Sequence, residues 1–85
     1  MEHVLKIYPE PFEAVCEERK RHEFRRDDRG GFEVGDTLLL REFALGEFTG
    51  DEARVAVTYV SRGPDFDIPA GYAVLSIRLI SIGRG

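Results

Sequence analysis

The stretch "ARVAVTYVSRGPDFDIPAGYAVLSIRLISI", residues 53–82, decides the class of fold. Its first eight residues are rich in β-branched side chains and alternate, so Val55 and Val57 share one face of a strand. "YAVLSIRLISI", residues 72–82, repeats the pattern with Leu75 and Ile77 and is the strongest strand of the chain. Between the two, "SRGPDFDIPAG" holds two prolines and two glycines, a composition that marks a loop no helix could span. Toward the N-terminus, Gly35 and Asp36 supply a tight turn into an apolar strand over 37–43, and "ALGEFTGDE", residues 44–52, connects it to the next. "HEFRR", residues 22–26, has period two, with His22, Phe24 and Arg26 on one face and Glu23 and Arg25 on the other; Phe24 is its obvious core residue. "HVLKIY", residues 3–8, is a first strand stopped by Pro9 and Pro11, which also start a helix near residues 10–19. Phe12, Val15 and Cys16 form its apolar stripe, and Lys20 stands at its end.

These elements predict an α+β, mostly β, protein: a small barrel or curled sheet of about five or six largely antiparallel strands, closed at one end by one short N-terminal helix. A single domain is expected over residues 1–82, with 83–85 a flexible tail. Phe24, Val55, Val57, Leu75 and Ile77 are the expected core positions. Eighty-five residues bury only about 60% of the unfolded surface, so one modest core is all the chain can build.

The net charge of −4 is unevenly spread. "ERKRHEFRRDDR", residues 18–29, carries six of the twelve Lys and Arg residues and four acids, so the remainder holds six bases against twelve acids. A protein that grips duplex DNA along its phosphates shows a broadly basic face, which this composition does not supply. Cys16 is the single cysteine and His3 and His22 the only histidines, so neither an intramolecular disulfide nor a zinc site is expected. Neighbours on a strand point to opposite faces, which rules out His22 with Glu23 as a metal pair. Cys16 belongs to the apolar stripe and reads as core, not nucleophile. "GEFTG" lacks the Lys and Ser/Thr of a phosphate-binding loop, and GxGxxG, HExxH and GxSxG are all missing. No cofactor or metal is expected. With no leader-like N-terminus and no long apolar run, the expected location is the cytoplasm, away from membranes.

Glu23 and Arg25 lie two apart on a strand and so project from one face, where a donor fork and an acceptor could meet a base or carboxamide. The bland alternative is a solvated charged strand with a cross-strand ion pair.

"ERKRHEFR" resembles the GxKxxExR signature of the ASCH domain, a relative of the PUA domain, with Lys20, Glu23 and Arg25 in place and Glu18 where the signature has glycine. The turn at Phe32, Val34, Gly35 and Asp36 and the closing strand "GYAVLSI" are similar to that family as well, and the order of elements agrees over nearly the whole chain. More narrowly, the chain looks like the small stand-alone ASCH/PUA-like proteins of bacteria and phages. The resemblance implies a PUA-like barrel whose cleft, beside the helix, carries Lys20, Glu23 and Arg25. It implies a module binding RNA, single-stranded or looped, or a modified nucleoside; beside that cleft, the charges of Arg19, Arg21, Arg26 and Arg29 offer contacts for a backbone. The alternative it implies is a small amidohydrolase acting on an acylated nucleoside such as N4-acetylcytidine, with Lys20 and Glu23 as catalytic residues. Relatives with that activity use a Thr where this chain has Glu23, so the expected nucleophile is replaced. A carboxylate there favours the charged form of Lys20, which is no general base, and leaves Glu23 itself as a base on water.

Overall fold

The computed structural model describes residues 1–27 and 31–85. In chain order the elements are β1 (Glu2–Ile7), α1 (Pro9–Cys16), β2 (His22–Arg26), β3 (Thr37–Ala44), β4 (Glu47–Arg62), a 3-10 turn (Asp65–Asp67) and β5 (Tyr72–Gly83). The strands form one mixed sheet in the order β1-β3-β4-β5-β2, parallel between β1 and β3 and antiparallel elsewhere. Register shifts at Arg54/Val55 and Val57/Tyr59 in β4, and at Arg41/Phe43 in β3, mark irregularities of the kind that bend a strand and raise its twist. The sheet curls into a half-barrel with one short helix, as the alternation of its strands and the early apolar stripe implied. Its two edge strands are bridged by a side chain: Arg25 Nη2 on β2 donates to the Lys6 carbonyl on β1 at 3.0 Å.

The inner faces of the strands meet α1 in one core. Leu38 and Leu40 of β3, Val55 and Val57 of β4, and Leu75 and Ile77 of β5 pack there with Phe12 and Val15 of α1. Four of the five expected core residues are buried. Phe24 is the exception, 50% exposed. The register gives the reason: Glu23 pairs with Leu75 and Arg25 with Ala73, both core residues, while Phe24 pairs with Val74 on the outer face. Phe24 instead stacks on Tyr72, with ring centroids 5.2 Å apart.

Two connections also differ from the sequence reading. Residues 44–52 are not a linking loop, because only Leu45 and Gly46, both with positive φ, separate β3 from β4. That is the backbone of a tight hairpin turn matched to strand twist. The helix ends at Cys16, so Lys20 lies beyond it. At the other end, Arg84 reaches Glu13 and Asp51, each at 3.0 Å. No helix among the described residues is long and apolar enough to cross a membrane.

Candidate functional site

The site is assembled by the way α1 stops. Glu18 takes a left-handed φ of 59°, its N–H donates to the Val15 carbonyl at 3.0 Å, and the Arg19 N–H donates to the Ala14 carbonyl at 2.9 Å. This pair of bonds closes a helix with a reversal that glycine takes most easily. Glu18 is the position at which the signature it resembles carries glycine, so the departure leaves the geometry in place at some conformational cost. The Lys20 N–H also binds the Ala14 carbonyl, at 3.0 Å, and the turn delivers the lysine side chain to the start of β2.

There Lys20, Glu23 and Arg25 converge. Glu23 is 3% exposed. Its Oε1 accepts from Arg25 Nη2 at 2.6 Å and from Nε at 2.9 Å. Its Oε2 accepts from Lys20 Nζ, which also donates to the His22 carbonyl. A buried carboxylate needs such partners, and here the low exposure of the acid is matched by two cations that keep about a quarter of their side chains in water. The group opens on a cleft of about 320 Å³ walled by Lys6, Tyr8, Pro11, His22 and Phe24 as well.

What the cleft offers a ligand is hydrogen-bond donors. Of the three N–H groups of Lys20, two are used. Arg25 commits Nε and Nη2 but makes no hydrogen bond from Nη1 among the described residues. The free valences are thus donors, suited to carbonyl or phosphate oxygens. Neither Ser, Thr nor Cys is among the described residues lining the cleft. Cys16 packs against the core, and burial pushes its thiol pKa above the ordinary value.

The remaining expected residues are scattered. Arg21 is tied to the Glu18 carbonyl at 3.0 Å and, with Lys20, borders a neighbouring hollow. Arg26 lies on the outer face, donating to Tyr72 Oη at 2.9 Å and away from the cleft. Arg29 is outside the described residues. Lys6 and Tyr8 went unnoticed in the sequence because nothing local to "HVLKIY" says that β1 will close against β2; only the curl of the sheet does.

A half-barrel with a donor-rich cleft at its seam defines the class of protein. The family model described as "Domain of unknown function (DUF3850)" matches residues 2–77, and the chain belongs to that family. It is also similar to an uncharacterized 12.9 kDa protein in the GpA 3′ region of Escherichia phage P2, 42% identical over 59 residues, which is 69% of this chain and 53% of the relative. The chain therefore spans about half the length of the curated relative it matches.

Proposed function

We propose that this protein is a binding module of the ASCH/PUA-like kind, which takes a base of single-stranded or looped RNA, or a modified nucleoside, in the cleft of Lys20, Glu23 and Arg25. The observation that carries this reading is the clamp on Glu23. One carboxylate holds two cations in fixed orientation while leaving the Arg25 Nη1 donors and one Lys20 N–H without a hydrogen-bond partner among the described residues. A fixed guanidinium edge suits the carbonyl oxygens of a base or the oxygens of a phosphate. Tyr8, 58% exposed on the cleft wall, adds a ring on which a base can stack.

The same geometry weighs against amide hydrolysis. The cleft lining supplies no hydroxyl or thiol of Ser, Thr or Cys among the described residues, and both Glu23 oxygens are already engaged by cations. The test is a titration of N4-acetylcytidine, cytidine and short single-stranded RNAs, with acetate release followed in parallel. Binding without acetate release, lost in Arg25→Lys while its melting curve stays cooperative, is the expected result. Steady release of acetate would replace binding by hydrolysis, and equal affinity in Arg25→Lys would remove the cleft from the account.

A further inference from the structure

Lys6 and Tyr8 of the cleft wall belong to a second pattern on the outer face of the sheet. Lys6 pairs in register with Arg41, and Phe43 pairs with Phe48 across the β3–β4 hairpin. Rings and cations lie together on this face. The Lys6 ammonium lies 5.6 Å from the Tyr8 ring and 4.7 Å from the Phe43 ring. The Arg41 guanidinium lies 4.1 Å over Phe48. Tyr8 and Phe43 are 6.5 Å apart, Phe43 and Phe48 5.1 Å, and both contacts are edge-to-face, so in each pair one ring keeps its faces clear of the other. Phe48 stays 45% exposed. Lys6 has no carboxylate partner among the described residues, and Arg41 reaches Glu52 only at 4.0 Å.

We infer that Tyr8, Lys6, Phe43, Arg41 and Phe48 form a stacking tract that carries the single-stranded RNA adjoining the nucleotide held in the cleft. This rests on the cleft reading for where the strand begins, since Lys6 and Tyr8 belong to both surfaces. Rings set beside cations are what an unpaired strand requires: a ring takes any base by a face left open, and a neighbouring cation meets a phosphate of the strand. A duplex keeps its bases stacked on each other and offers these rings nothing. A free nucleoside would fill the cleft and leave the tract empty, so the tract makes an oligonucleotide the preferred ligand.

The experiment compares the four ribonucleoside 5′-monophosphates with the matching single-stranded hexaribonucleotides, on wild type, Phe48→Ala, Arg41→Gln, Arg25→Lys and, as a surface-charge control, Arg54→Ala. The best hexamer should bind more tightly than its mononucleotide. Phe48→Ala should cost that hexamer roughly tenfold in affinity, within the range for one lost stack, and Arg41→Gln should act in the same direction should Phe48→Ala fail to fold. Neither should change mononucleotide affinity more than about twofold, and Arg54→Ala should leave hexamer binding as it was. Hexamers that bind no better than mononucleotides, or that ignore both tract substitutions, overturn the tract while leaving the cleft intact. Hexamer binding that depends on Phe48 and not on Arg25 supports the tract and removes the cleft. No binding of any RNA, or preference for an acidic peptide over every RNA, overturns both.

Discussion

Glu23 is the residue on which the geometry of the candidate site depends, and its burial between two cations sets a stability consequence. Replacing it by Gln leaves Lys20 and Arg25 largely desolvated without a counter-charge, which for a buried pair costs several kcal/mol; with a quarter of each cation in water, about 3 kcal/mol is expected in urea unfolding. A loss under about 0.5 kcal/mol, the size of an ordinary surface change, would show that the clamp holds nothing. Asp36 offers a separate test by pH. His3 Nε2 donates to its Oδ2 at 2.8 Å and the Glu33 N–H at 3.0 Å. The hydrogen bond from His3 is the main cause that holds its pKa at about 2, below the ordinary 3.8. A depressed carboxylate stabilises the fold above the unfolded pKa and loses that contribution as pH falls through the folded one. Acid unfolding should therefore gain slope between about pH 4 and pH 2, part of which Asp36→Asn removes; an unchanged slope in that variant contradicts the assignment. At this scale the sequence was half legible. The spacing of Glu23 and Arg25 put them on one face, but the single apolar residue of β2, Phe24, suggested the wrong face as the buried one. One phenylalanine does not outweigh the pairing of Glu23 and Arg25 with Leu75 and Ala73.

Among the elements, the end of α1 has the clearest consequence. Glu18 holds a left-handed backbone that an L side chain resists by about 1–2 kcal/mol, whereas glycine takes it freely. Glu18→Gly should raise stability by about 1 kcal/mol, read as a higher urea midpoint, and leave the Lys20 turn and ligand binding unchanged. A destabilised variant would show that Glu18 contributes something besides its backbone. The strands over 53–60 and 72–82 could be read because their alternation matched a half-buried sheet. The hairpin at Leu45 and Gly46 was hidden because "EFTG", residues 47–50, lacks the apolar alternation of a strand and its backbone is extended by pairing alone. The helix is shorter than residues 10–19 because, although Glu17 to Arg19 are compatible with helix, the reversal at Glu18 stops it at Cys16.

For the molecule as a whole, a small acidic chain brings its two edge strands, β1 and β2, together at one seam bridged by Arg25 and Lys6, and donors of Lys20 and Arg25 without a partner among the described residues lie there. The global charge of −4 limits how much general attraction to a polyanion such a protein can use. Binding of single-stranded RNA through three or four phosphate contacts should then weaken with salt at a log-log slope of about −2 to −3, from roughly −0.7 per contact, with duplex DNA weaker at every salt concentration. A slope near zero with intact affinity would mean that no phosphate is touched. The convergence of Lys20, Glu23 and Arg25 was visible in the signature spacing, whereas the contribution of Lys6 and Tyr8 needed the curl that joins β1 to β2. The most direct measurement of the central claim follows the side-chain 15N resonances of the arginines by NMR as a single-stranded RNA is added. Arg25 should shift and slow its proton exchange as its Nη1 donors are taken, while Arg84, held by Glu13 and Asp51 on another part of the surface, stays where it was. An RNA that saturates the protein and leaves the Arg25 guanidinium unmoved would contradict the account.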